Sequence, residues 1–426
     1  MSSTWESLRG GPWKPEAEVP HDGPDEVTRR RLGLPATLRP VPGAVQRPVF
    51  DPALKQFSNA MRIGEPVFDS GYLNVRWYSD RRQAVGHVLR AIAGSPWADH
   101  LVLRGSVLLR AWYGDLAREP GDLDFVVVPR TWRMAEHRTR QMLEGIAWEA
   151  EAASSSGAVR LDARGAVTED IWTYDRVPGR RLLLPWKSQA VPQGTVQLDF
   201  VFNEHLPVEP EPTLVDDVLL NAATPELSLA WKLMWLLDDT YPQAKDLFDA
   251  LLLAEHSSLS YRLLVDAFVA ADPARVRFLP RIEDVRALSV DWDEFEKEFP
   301  GRLAGHGDDH VQRLAALLEP AFRRDNDLPS GEYARRVELL RPRIELYDLL
   351  RREQGMEPAL RRMADDGLAV NEAVVIANEI LGRGVGGLEP TLANVMRAYA
   401  GAGSSWIGYL SRNADERAKI LSQLRD

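Results

Sequence analysis

The sequence predicts an N-terminal α/β domain followed by a mainly helical region, and three observations carry that prediction. Short apolar runs at residues 101–104 and 122–128 bracket a stretch with helical spacing. Three further strand-like pieces follow, "AVRLDARG", "TEDIWTYD" and "TVQLDFVFN". From near Pro225 onward the apolar residues recur at helical intervals almost without a break.

Taken in order, residues 1–50 are rich in proline and glycine with little apolar periodicity, which predicts an extended or disordered lead-in. Residues 51–225 make up the α/β domain. In it, "DRRQAVGHVLRAIAGSPWADH" places Val85, Val88, Leu89 and Ile92 on one side of a helix. A short strand Leu101–Arg104, a helix to about Tyr113, a loop, and a strand Asp122–Val128 come next. A helix near 131–153 and a Gly/Ser turn precede the later strands. The proline-spaced stretch "HLPVEPEPTLVDD" reads as a separator before a helical domain at 226–330 and a helical extension at 331–426. No internal repeat is visible, so a solenoid is not expected.

Composition narrows the chemistry. A chain of 426 residues, 45% hydrophobic and 27% charged, is sized for about two or three ordinary globular domains. It holds no apolar run of about 18 residues, and its first residues lack the basic-then-apolar order of a signal peptide. The cytoplasm is therefore the expected compartment, with no membrane partner. The absence of cysteine excludes disulfides, thiolate nucleophiles and cysteine-ligated metals, so any metal takes oxygen or imidazole ligands. A net charge of −11 speaks against a coat for nonspecific nucleic-acid binding and leaves a local basic groove open. A Ser/His/Asp hydrolase is a poor fit, because no Gly-x-Ser-x-Gly elbow occurs.

The chemistry-bearing stretch is "LRGSVLLRAWYGDLAREPGDLDFVVV". Side chains alternate along a strand, so Asp122 and Asp124 share one face while Leu123 and Phe125 take the other. Two adjacent carboxylates on a rigid strand suit Mg²⁺, a hard cation that completes its shell with water and phosphate oxygens. The plainer alternative is a solvated strand end. Ser106 is placed to cap the following helix, and Gly105 permits close approach of an anion to the helix start. That pair alone also fits an ordinary capped helix. Asp199, in "TVQLDFVFN", becomes a third carboxylate if its strand neighbours the aspartate pair, and an incidental strand residue if not.

A second cluster lies in "PELSLAWKLMWLLDDTYPQAKDLFDALLL". Lys232 sits in a helix whose Leu229, Leu233 and Leu236 face a core, and Tyr241-Pro242 ends that helix. Lys245 and Asp246 open the next helix, on which Asp246 and Asp249 share a face. The chain has only seven lysines among its 52 basic residues, so two in this segment are conspicuous. Surface salt bridges on two helices are the alternative reading.

The order Gly105-Ser106, Arg118, Asp122-Leu123-Asp124-Phe125, followed by Lys232 and Lys245-Asp246-x-x-Asp249, resembles the nucleotidyltransferase superfamily. Within it, the match is to the AbiEii/AbiGii toxin family, to which MenT-type toxins belong. The resemblance spans roughly residues 60–255 and extends weakly to "VDWDEFEKEFPG". Arg104 replaces a second small residue common before the Gly-Ser turn, and Pro120 replaces a hydroxyl residue two places before the first aspartate. The resemblance implies a nucleotidyltransferase-like α/β (α+β) domain with a mixed sheet. It implies Asp122 and Asp124 as ligands of Mg²⁺ or Mn²⁺, with Lys232, Asp246 and Asp199 completing the catalytic set. Gly105, Ser106, Arg118 and Lys245 would bind the NTP substrate. It further implies an RNA acceptor, such as a tRNA 3′ end, and a separate antitoxin protein. A small-molecule or protein acceptor, a noncatalytic scaffold on a transferase fold, and a regulatory role for residues 331–426 stay open. The arginine-bearing stretch from Arg335 to Arg362 could track a phosphate backbone, but its interspersed acids favour a solvated helix face.

Overall fold

A computed structural model describes residues 4–11, 13–14, 16–173, 177–303, 305–323, 328–403 and 405–425. Its contacts divide the chain into two compact units. The first runs to Ser258 and takes in Val285–Leu317; the second comprises Leu259–Asp284 and the residues from Leu318. This division differs from the boundaries at 225 and 330 drawn from the sequence, and it puts the Lys/Asp helices in the same unit as the sheet.

The lead-in is more ordered than its composition predicts. It carries a helix α1 (Glu26–Leu32) that starts on an Asp25 side-chain cap and stops at Gly33, where φ is 58°. Trp5, Leu8, Val19, Leu32, Leu34, Leu38 and Met61 form a buried cluster of their own. These apolar residues are scattered without helical or strand period, which is why pattern reading missed them. Strands β1 (Pro48–Phe50) and β2 (Met61–Ile63) then pair antiparallel.

Among the described residues the main sheet has eight strands: β3 (Leu101–Arg104), β4 (Leu123–Val127), β5 (Val159–Leu161), β6 (Val167–Thr173), β7 (Val177–Ser188), β8 (Gly194–Val201), β9 (Glu211–Val215) and β10 (Val218–Ala222). Their order is β5-β7-β8-β4-β3-β10-β9, with β6 also on β7. It is a mixed sheet, since β4 runs parallel to β8 and β10 parallel to β3 while the remaining pairs are antiparallel. Tyr174 and Asp175, the end of one strand-like piece, lie outside the described residues. The stretch read as a separator instead supplies strand β9 and the turn into β10, at Asp216 with φ 53°.

Helix α2 (Gly71–Ala93) is capped by Ser70 and buries Trp77, Val88, Leu89 and Ile92. It packs against α4 (His137–Ser154), which begins six residues after the predicted start at 131, and against the sheet. Between β3 and β4 lies α3 (Ser106–Tyr113). After β10, Thr224 caps α5 (Pro225–Asp238), whose Pro225 takes the first-turn place where a missing N–H costs nothing. Helix α6 (Ala244–His256) packs on α5.

The second unit is helical among its described residues, with α7 (Tyr261–Ala271) and later helices including Glu332–Leu339, Arg341–Gln354, Met356–Asp365, Val370–Ile380 and Leu388–Gly401. Buried Glu372 is held by Arg277 and Arg336. Along 335–362, Arg335, Arg341, Arg351, Arg352, Arg361 and Arg362 pair with carboxylates three or four residues away. Their charge is met by carboxylates close in sequence, while Arg336 and Arg343 of the same stretch are buried.

Candidate active site

The site grows from the β3–α3 turn. Gly105 has φ 85°, and a Cβ there would lie 2.4 Å from Asp124 Oδ2, so only glycine fits between the turn and the carboxylate. The expected capping role of Ser106 is not what forms: Gly105 is the cap residue and Ser106 the first residue of α3. Ser106 is 3% exposed, and its Oγ has no hydrogen-bond partner among the described residues. Within α3 the buried residues are Ser106, Val107, Leu108 and Leu109, whereas Trp112 and Tyr113 are only half-buried.

Strand β4 begins one residue after Asp122 and carries Asp124. Parallel pairing sets Asp124 opposite Asp199 on β8. The strand adjacency that the sequence left open therefore exists, and ligand oxygens of Asp122, Asp124 and Asp199 lie within 4.8 Å of one another. Beneath them Phe125 stacks on Phe200 at 5.5 Å, fixing the two strands from the other face. Neither the Asp122 nor the Asp124 carboxylate makes an ion pair or hydrogen bond among the described residues. Burial, with Asp122 beside it, pushes the Asp124 carboxyl up to about 8, although Arg104 and Lys232 pull the other way. Three convergent carboxylates of which one resists ionisation are a donor set suited to a hard divalent cation.

Asp199 differs from its neighbours. Arg181 on β7 donates to both its oxygens at 2.8 Å and to Asp51 at 2.9 Å, and Gln197 Nε2 reaches Oδ2 at 3.3 Å. Burial raises the Asp199 carboxyl against the opposing pull of Arg181. Sequence reading missed Arg181 and Asp51. A signal was present, an Arg-Arg pair entering the apolar run "LLLPW", but using it required the β7–β8 register.

The Lys/Asp helices form a second, compensated cluster. Lys232 is 5% exposed, donates to Asp246 at 2.6 Å and lies 2.9 Å from Asp249. Arg118 grips Asp249 through two bonds of 3.1 and 2.9 Å, and its guanidinium lies over the Phe299 ring. Asp249 is fully buried; burial alone would raise its carboxyl, but Arg118 and Lys232 outweigh that and hold it below the usual range. Burial likewise favours neutral Lys232, and Asp246 with Asp249 reverses the balance and raises its ammonium. Asp249 is thus the hub of the cluster, a larger part than the sequence assigned it. Lys245 stands apart, lining a cleft with Asp122 and Arg118 and making no ion pair among the described residues. Beside Lys232, buried Arg104 pairs with Glu204 at 2.6 Å and lies 5.2 Å from the stacked Trp231 and Trp235 rings. This explains how arginine is accommodated before the Gly-Ser turn.

No helix among the described residues is long and apolar enough to cross a membrane. In comparison with curated proteins, no match is found. Among protein families, the model described as "Nucleotidyl transferase AbiEii toxin, Type IV TA system" matches residues 87–340. That span exceeds half of the chain and contains the Gly-Ser turn, the three aspartates and the Lys232 cluster. Arrived at from motif order, strand register and family model alike, the chain belongs to the AbiEii family of nucleotidyl transferase toxins of type IV toxin–antitoxin systems.

Proposed function

We propose that the protein is a Mg²⁺-dependent nucleotidyltransferase that moves NMP from an NTP to an RNA acceptor, a tRNA 3′ end fitting best. The observation that carries this reading is the convergence of Asp122, Asp124 and Asp199 beside a buried, unpartnered Ser106 hydroxyl. Asp122 and Asp124 would hold Mg²⁺, or Mn²⁺ in its place, and the ion would supply neutralisation and orientation of the triphosphate.

The chain's own groups do the rest. Gly105 keeps the turn close to Asp124, and Ser106 with the start of α3 binds phosphate oxygens. Lys232, locked by Asp246 and Asp249, offers a fixed positive charge to the transferred phosphoryl group. Arg118 holds Asp249 and thereby Lys232, and Lys245 offers a further cation at the Asp122 side. An acceptor hydroxyl oxygen forms the new bond to the α-phosphorus as the bond to the bridging oxygen breaks. Pyrophosphate leaves with that electron pair, and the hydroxyl proton passes to a carboxylate of the triad or to solvent. Growth inhibition in the cytoplasm, relieved by an antitoxin protein, follows from this chemistry on RNA.

Incubating the chain with Mg²⁺, total RNA and each α-labelled NTP in turn tests the proposal on a denaturing gel. Label on tRNA-sized RNA that disappears in Asp122→Asn supports it. Label on protein, on small molecules or nowhere contradicts the RNA reading.

A further inference from the structure

The carboxylate triad has two unlike flanks. On the Asp124 side lie Gly105, Ser106 and Lys232, read above as the triphosphate side. On the Asp122 side opens a cleft of about 90 Å³ that none of those three residues lines. Six cationic side chains face it, Arg39, Arg62, Arg81, Arg118, Arg181 and Lys245, against the carboxylates Glu65, Asp122 and Glu298. Arg62 pairs with Glu298, Arg81 with Glu65, Arg118 with Asp249, and Arg181 with Asp199 and Asp51. Arg39 and Lys245 make no ion pair among the described residues, so two cationic side chains of the cleft are left to meet an anion.

The roof of this cleft comes from residues 37–66, which precede the family match at 87–340. It is a built wall. Gln46 accepts from Val41 N at 2.6 Å and donates to Gly64 O at 2.8 Å, with both groups buried. Glu169 on β6 accepts from the Ala36 and Thr37 backbone, and Asp51 ties the β1–β2 hairpin to Arg181. Beside a metal-suited site, Arg39 and Lys245 offer charge-assisted contacts to a phosphate.

In-line transfer places the attacking acceptor oxygen opposite the leaving pyrophosphate oxygen about the reacting phosphorus. We propose that the Asp122-side cleft binds a backbone phosphate of the acceptor strand, and that the N-terminal roof, through Arg39 and Arg62, is an acceptor-binding element of this chain. The inference rests on the nucleotidyltransferase reading for its assignment of the donor flank. Its substance, a phosphodiester site outside the donor site, is measurable without turnover.

The test uses the full chain, a fluorescein-labelled RNA tetranucleotide read by anisotropy, and separate NTP affinity measurements. Arg39 is exposed and makes no ion pair among the described residues, so Arg39→Glu should leave the melting temperature unchanged. It should weaken the oligonucleotide about tenfold, lower its log–log salt slope by about one and leave NTP affinity within about twofold. Arg62→Lys, which keeps a partner for Glu298, should weaken the oligonucleotide by roughly threefold, through loss of the planar fork. Equal loss of NTP affinity in Arg39→Glu would make the cleft a donor site and overturn the proposal, as would unchanged oligonucleotide affinity. Asp124→Asn, away from the cleft lining, separates the two readings. If wild type binds the oligonucleotide but transfers no NMP, the functional reading fails and the subsite stands. If RNA is labelled at full efficiency by Arg39→Glu, the subsite fails and the function stands.

Discussion

Two buried ionic clusters lie side by side in the first unit, and they are balanced differently. Around Asp249, two carboxylates meet Lys232 and Arg118, each charge is within hydrogen-bond reach of an opposite one, and Asp249 is held ionised. Around Asp124, bonded cationic compensation among the described residues goes to Asp199 alone, through Arg181, and Asp124 is pushed up to about 8. Buried charge is costly unless matched, so a cluster matched by the chain is a scaffold. A cluster left carboxylate-rich is built for a cation from outside. Position in one fold thus separates parts that hold from parts that bind.

Removing a carboxylate from either cluster tests that distinction, and the two removals should behave oppositely. Asp124→Asn should lower NMP transfer about a thousandfold or more, since several kcal/mol of charge stabilisation at the phosphates is lost. Without added metal, its melting temperature should match or exceed that of wild type. A metal-free Asp124→Asn protein that is markedly less stable would show that the triad is structural. Next in size, Asp249→Asn strips Arg118 of its partner and Lys232 of one of two, and should cost about 3–5 kcal/mol in denaturant unfolding. A loss under about 1 kcal/mol would mean that the cluster is not the brace described.

The pH dependence sharpens the same contrast. Asp249 is held below its usual 3.8, so its contribution is present above that value and is lost as pH falls through its lower folded-state range. The stability gap between wild type and Asp249→Asn should therefore be full near neutrality and shrink in strong acid; a gap independent of pH down to acid unfolding would refute this. The smallest effect belongs to Ser106→Ala. Its hydroxyl is buried without a partner, so stability should change by less than about 1 kcal/mol while the KM for NTP rises. Unchanged KM would remove Ser106 from the phosphate site.

Much of the functional core was legible because it is local. The turn from β3 into α3, the alternation of Asp122 and Asp124, and the Lys232 helix followed by Asp246 and Asp249 all depend on short-range periodicity. Asp199 could be named as a candidate, but its place beside Asp124 needed the parallel β4–β8 register. Arg181, Asp51, Arg62 and Glu298 stayed hidden since each reaches its partner across strands or distant segments, and no spacing rule encodes that. Ser106 was misjudged as a cap because Gly105, with its positive φ, takes that position itself. The β9–β10 hairpin was hidden by a run of prolines, of which Pro212 sits tolerably on the edge strand β9.

The most direct measurement is the melting temperature of the full chain near neutral pH, with and without saturating Mg²⁺, in wild type, Asp124→Asn and Asp249→Asn. A rise of roughly 5 °C is expected in wild type, from ligand binding to the native state. Asp124→Asn should show no rise, and Asp249→Asn a rise from a lower baseline. A wild-type protein indifferent to Mg²⁺ and Mn²⁺, or an equal rise in Asp124→Asn, would contradict the claim that the triad is a cation site.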